Sequence, residues 1–173
     1  MIRLCFHGAE STGKSTLAAA LSAELGVPWV PEYGREWAET KGTDFTMDAL
    51  LAIAAGQDAV MRAAMLGAAA ANPPLLLLDT DPLMTAAWAA MLYGHVPAEL
   101  LKYEKAERYL LFDVDTDWVD DGTRFFGSEA ERALFEALAE DMLVRAGVPF
   151  ERISGSWEER EAAVRAAIGA VLP

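Results

Sequence analysis

The sequence predicts an α/β fold, a five-stranded parallel sheet with helices on both faces, and three observations carry that prediction. Short apolar runs alternate with helix-length segments along the chain. One of those runs, Leu75-Leu76-Leu77-Leu78, has no polar alternation, as a strand buried on both faces requires. The passage from helix to strand repeats as Leu25-Gly26-Val27-Pro28 and Ala146-Gly147-Val148-Pro149, each with a C-capping glycine before a β-branched residue and a proline.

The elements follow in order. Ile2 to Phe6 reads as the first strand and Lys14 to Leu25 as the helix behind it. Val27 to Val30 gives a second strand, Met47 to Ala71 a long helix, and Leu75 to Leu78 the third strand. Asp81-Pro82 opens a helix to Leu92, with proline at the first helical position. Tyr109 to Val114 is the fourth strand, Ser128-Glu129 opens a helix to Ala146, Pro149 to Ile153 is the fifth strand, and Trp157 to Val171 is the last helix. The acidic stretch from Asp115 to Gly127 has no periodicity, and a long irregular segment in a compact domain is often a functional flap, so a lid is expected over about residues 115–128.

A length of 173 residues predicts one domain spanning 1–173. With 14 basic and 27 acidic side chains the formal charge is −13, which repels a phosphate backbone and argues against nucleic-acid partners. The longest apolar stretches, 63–71 and 75–78, are split by Asn72-Pro73-Pro74 and fall short of the ~18 to 20 residues of a membrane span. No basic, apolar and small-residue leader precedes the first strand, so no secretion signal and a cytoplasmic location are expected. The single cysteine, Cys5, excludes an intrachain disulfide, and His7 and His95 are too isolated in sequence to suggest a metal site. Oligomeric state is left open.

The chemistry starts at Gly8-Ala9-Glu10-Ser11-Thr12-Gly13-Lys14-Ser15, which fits the P-loop pattern and stands where it must, between an apolar strand and a helix. Such a loop curls so that successive N–H groups and the helix N-terminus face a phosphate chain. Lys14 would reach the β- and γ-phosphates of ATP, Ser15 would ligate Mg²⁺, and Thr16 would lie beside the α-phosphate. Asp79, at the end of the leucine strand, is the expected carboxylate of the Mg²⁺ site. Asp81 reads equally as a catalytic carboxylate or as the cap of the following helix.

Three classes share this loop. A guanine-nucleotide switch needs Asp-x-x-Gly after the third strand and an Asn/Thr-Lys-x-Asp base reader, and neither occurs. A motor needs partner-binding elements for which the chain leaves little room. A kinase needs an acceptor pocket and a flap that excludes water. Pro31-Glu32-Tyr33-Gly34-Arg35-Glu36-Trp37 supplies the first, with Glu32 to accept the acceptor's proton, Arg35 to contact phosphate or orient the acceptor, and Tyr33 as an aromatic face. The alternative there is an amphipathic helix start with Glu32 and Glu36 as an exposed pair. Within the flap, Arg124 is the natural lid arginine, against a surface arginine paired with Asp120 or Asp121.

Together these motifs, with Asp79-Thr80-Asp81 and Trp118-Val119-Asp120-Asp121-Gly122-x-Arg124, resemble the ribosylnicotinamide kinase domain of NadR-type NAD-salvage proteins. The resemblance implies a P-loop nucleoside/nucleotide kinase fold and ATP-dependent phosphorylation of the ribose 5′-hydroxyl of nicotinamide riboside, giving nicotinamide mononucleotide. It implies neither adenylyl transfer nor DNA binding, which belong to other portions of full-length relatives, and it leaves open a kinase for another nucleoside or nucleotide and an ATP-binding regulatory module that transfers nothing. A cationic pyridinium ring would be attracted to aromatic faces, for which Tyr33, Trp118 and Trp88 are available, and to carboxylates such as Asp120 and Asp121. Trp88 in its alanine-rich setting also reads as plain core. The adenine of ATP is expected beside Ser154-Gly155-Ser156.

Overall fold

The computed structural model describes every residue except 70, 72, 121, 123 and 173. Among the described residues are five strands: β1 (Ile2–Gly8), β2 (Trp29–Val30), β3 (Leu75–Asp79), β4 (Arg108–Phe112) and β5 (Phe150–Ile153). They alternate with α1 (Lys14–Leu25), α2 (Tyr33–Lys41), α3 (Met47–Ala68), α4 (Pro82–Tyr93), α5 (Glu129–Ala146) and α6 (Trp157–Val171). The strands form one sheet in the order β2-β3-β1-β4-β5, and each pairing is parallel. The predicted fold class is the observed one.

Side-chain alternation along the central strands sorts the core into two layers. Leu4 and Phe6 of β1, Leu75 and Leu77 of β3, and Leu110 and Phe112 of β4 pack on Leu17, Ala18 and Leu21 of α1 and Val164, Ala167 and Ile168 of α6. Their neighbours Cys5, Leu76, Leu78 and Leu111 face the other way, onto α3, α4 and α5. The four leucines of β3 are all fully buried because both faces of that strand are covered. Gly26 and Gly147 end α1 and α5 in the left-handed conformation, as the repeated helix-to-strand pattern predicts.

The Glu32–Trp37 cluster opens a full helix, α2, as the alternative for that cluster expects, with Glu36 exposed and Glu32 half-buried, and a 3₁₀ turn that the sequence did not signal forms at Ala98–Leu101. Helix α3, at 22 residues, is long and apolar enough by length and composition to cross a membrane, a possibility that the interrupted apolar runs had hidden. One face of it, Leu50, Ile53, Ala54 and Met61, is packed into the core, and the helix also carries Asp48, Gln57, Asp58 and Arg62.

The parallel arrangement sends the C-terminal ends of β1, β3 and β4 to one edge. The loop between β1 and α1, residues 79–81 and the stretch after β4 all emerge there, in the crevice where open α/β sheets bind ligands.

Candidate active site

Gly8 ends β1 with φ 129, and a Cβ on it would lie 2.6 Å from the Phe112 carbonyl oxygen of β4. Only glycine lets the chain leave the sheet there and begin the loop. Ser11 then takes φ 57, and Gly13, the N-cap of α1, takes φ 86. Lys14 is buried, with its Nζ donating to the Ala9 carbonyl at 2.6 Å and to Thr12 Oγ1 at 3.3 Å. Burial lowers its pKa, against the pull of the Glu32, Asp79 and Glu10 carboxylates.

Asp79 sits at the end of β3 with 1% exposure, and the Ser15 hydroxyl donates to its carboxylate, as does the backbone of Glu32. Its Oδ1 is buried without a hydrogen-bond partner. Glu32, half-buried at the end of β2, faces the same spot. Desolvation first, then repulsion from Asp79, raises its pKa to about 7. Asp79 is raised as well, chiefly by burial. Two carboxylates and one hydroxyl thus converge beside a buried lysine.

Thr80 follows with φ 72, and with Ser11 it makes up the non-glycine residues of positive φ among those described. Both line the cavity, and backbone strain of this kind gathers at functional sites. The cavity holds about 310 Å³. It is lined by Gly8 and residues 10–16 of the loop, by the polar side chains of Glu32, Arg35, Gln57, Thr80 and Thr85, and by the apolar side chains of Phe45, Leu50, Ile53, Met84, Trp88 and Phe135. Trp88 is at once core and wall, since its ring lies 5.4 Å from Phe45 and 5.0 Å from Phe135, centroid to centroid.

The segment after β4 folds over the loop. Thr116 Oγ1 donates to the Ser11 carbonyl at 2.8 Å, Val119 N–H to Ser11 Oγ at 2.9 Å, and Phe125 N–H to the Glu10 carboxylate at 3.1 Å. Arg124 lines the cavity, its Nη1 bonded to the Val119 carbonyl and within 3.4 Å of Ser11 Oγ. The variable positions of the phosphate loop, Glu10 and Ser11, therefore hold the lid-like segment.

Not every residue singled out from sequence reaches this cavity. Both oxygens of Asp81 are engaged elsewhere: Oδ1 accepts from Leu83 N–H at 2.9 Å as the cap of α4, and Oδ2 from the Tyr109 hydroxyl at 2.5 Å. The cap reading describes what Asp81 does. The Tyr33 ring lies against Gly56 of α3, outside the cavity wall. Trp118 packs on Gly127, and Asp120 Oδ1 accepts from Gly122 N–H at 2.8 Å, so both serve the fold of their own segment. Asp121 lies outside the described residues.

The converse also holds. Phe45, Gln57, Thr80 and Thr85 face the cavity, and the sequence reading missed them. His7, isolated in sequence, has Cys5 and Asp81 as buried neighbours, with candidate ligand atoms within 4.8 Å of one another. The ring's Nε2 is 3.0 Å from the Ala139 carbonyl, and burial lowers its pKa to about 3.

Comparison with solved structures places this architecture. A NadR protein in complex with NR is similar with a TM-score of 0.77 and 22% identity, over 97% of this chain and 51% of that one. A NadR protein in complex with NAD and AMP-PNP gives 0.73 and 20%, over 98% and 49%. A deoxyadenosine kinase from M. mycoides with products dCMP and dCDP gives 0.65 and 11%, over 98% and 100%. The chain spans about half the length of the NadR chains and has the P-loop kinase-like fold of all three. The AAA_28 family model, described as an AAA domain, matches residues 3–160, from β1 through the phosphate loop into α6, and the chain belongs to that family.

Proposed function

We propose that the protein is an ATP-dependent small-molecule kinase that phosphorylates the ribose 5′-hydroxyl of nicotinamide riboside. The observation that carries this reading is one cavity joining the phosphate loop to Glu32 and to an aromatic wall of Phe45 and Trp88. Phosphoryl transfer needs positioning and charge more than covalent help, and those residues supply both.

In this mechanism the loop amides and Lys14 hold the phosphate chain of ATP. Glu32 accepts the proton of the acceptor hydroxyl as its oxygen bonds to the γ-phosphorus, and the bond to the ADP oxygen breaks. Lys14 and Arg124 offset the charge on the transferring group, while Arg35 orients the acceptor. Ser15 and Asp79 would hold Mg²⁺, and their hard oxygens, one of them buried and unpartnered, fit that ion. The cation supplies charge neutralisation along the phosphates when bound. A cationic ring against Trp88 and Phe45, with Glu10 and Glu32 nearby, is favoured by ring faces and carboxylates alike.

The likeness to a deoxyadenosine kinase over that protein's full length supports a second reading, a kinase for a different nucleoside. Mg-ATP with a panel of nicotinamide riboside, purine and pyrimidine nucleosides and their monophosphates decides. The proposal expects ADP release that depends on nicotinamide riboside. Dependence on another nucleoside favours the second reading, and ADP release independent of any acceptor ends both.

A further inference from the structure

Helix α2 begins at an N-cap carboxylate that does not cap. Glu32 occupies that position with extended backbone, φ −67 and ψ 113, yet its side chain makes no capping hydrogen bond. A carboxylate there ordinarily turns back onto the N–H groups of the first turn. Glu32 instead faces the cavity and Asp79.

Gln57, from α3, reaches the start of this helix. It is 2% exposed, and its Oε1 accepts from Tyr33 N–H, the first amide of α2, at 2.8 Å. Its Nε2 lies 3.5 Å from the Pro31 carbonyl. One amide side chain therefore grips the residues on either side of Glu32. The rest of the buried face of α3 is apolar apart from this side chain: Ala49, Leu50, Ile53, Ala54 and Met61. A buried amide in such a row is unfavourable unless its bonds compensate, and these bonds are the ones it has.

The preceding residue completes the seat. A Cβ on Gly56 would lie 2.1 Å from a Tyr33 ring carbon, so the ring rests directly on the backbone of α3. Gly56 admits the ring and Gln57 binds the amide of the same tyrosine. The segment 31–33 is thereby pinned by side chain and main chain together.

We infer that Gln57 is a positioning residue for Glu32: by holding Tyr33 N–H and the Pro31 carbonyl it fixes the backbone on both sides of Glu32 and so directs its carboxylate toward the acceptor hydroxyl. The inference rests on the kinase reading above and names what keeps that site's proton acceptor in place.

The test uses the full chain with Mg-ATP and the nucleoside that the acceptor panel identifies. Gln57→Leu keeps the volume and removes both hydrogen bonds. It should lower kcat by about 10- to 100-fold with a smaller effect on acceptor KM, because the reacting group is displaced while the apolar lining of the cavity stays in place. Gly56→Ala, which displaces the Tyr33 ring without touching the cavity wall, should reproduce the leucine variant's kcat loss, and it decides the matter if Gln57→Leu does not fold. An unchanged kcat in the leucine variant overturns the inference. So does a loss confined to acceptor KM, which would make Gln57 a direct substrate contact. A wild-type chain that phosphorylates no acceptor in the panel fails the kinase reading itself, an outcome distinct from these.

Discussion

Arg160, 1% exposed, donates to the Thr12 carbonyl at 3.4 Å and so fastens the last helix to the phosphate loop. The same guanidinium bonds the carbonyls of Asp113 at 3.1 Å, Ile153 at 3.3 Å and Gly155 at 3.0 Å, and pairs with Asp115. Arg160→Met removes the donor these acceptors share, with Ile153 keeping Asp113 N–H, and should cost about 2–4 kcal/mol in urea unfolding. A loss below about 0.5 kcal/mol would show that the loop is held by other means.

Lys14 is the buried cation of the loop, and its contacts within the loop are two hydrogen bonds. Lys14→Ala should reduce kcat by about 100- to 1,000-fold with the far-UV circular dichroism unchanged. Near-normal turnover would remove Lys14 from the reaction.

Glu32 and Asp81 separate by the kind of damage their loss does. Glu32→Gln should lower kcat by about 100-fold or more with little change in KM. Asp81→Ala strips the cap of α4 and the partner of Tyr109, and should cost about 1–3 kcal/mol of stability while kcat of the folded fraction persists. The opposite pattern, activity lost at Asp81 and stability at Glu32, would reverse the assignment.

Glu32 also leaves a mark on stability against pH. Burial and Asp79 hold its folded pKa at about 7, above its ordinary value of 4.5, so the folded state resists ionising it. Its cost is full above about pH 7 and fades as pH falls toward 4.5. Glu32→Gln should therefore be the more stable protein at pH 8, by about 1–2 kcal/mol after allowance for its coupling to Asp79, with the gap closing near pH 5. A gap that does not vary with pH in denaturant titrations would refute this.

His7 acts in the opposite direction. Its folded pKa is depressed to about 3 from 6.5, so its contribution is intact above about pH 6.5 and is lost as pH falls toward 3. Between those limits wild type should lose about 1.4 kcal/mol per pH unit through this group. Relative to wild type, His7→Gln should gain stability on acidification, and parallel pH curves for the two would contradict the assignment.

The sheet was legible because its signals are local. Four leucines with no polar partner define a strand covered on both faces, and a glycine before Val-Pro ends a helix wherever it stands. The phosphate loop was legible for the same reason, since Lys14 bonds back within the loop, although the need for glycine at Gly8 comes from Phe112 of β4. The acceptor side was only half legible. Glu32 stood out as a carboxylate after a strand, whereas Gln57 and Phe45 lie in a helix and a loop that meet it only in space. The aromatic residues illustrate the same limit of local pattern: Tyr33 stands between the cavity-lining Glu32 and Gly34, and Trp118 within the lid-like segment, but their rings pack on Gly56 and Gly127.

By itself, then, the sequence determined what short range can encode: the alternation of strands and helices, the loop that cradles phosphate, and the aspartate at the end of β3. Tertiary structure decided which carboxylate is free. Asp81 and Glu32 are alike in sequence, each an acid ahead of a helix, but Tyr109 and the first turn of α4 occupy one, while Gln57 fixes the backbone on both sides of the other. Tyr109 lies 28 residues from Asp81, and Gln57 lies 24 from the Tyr33 amide it binds, separations that local pattern does not record and chain folding does.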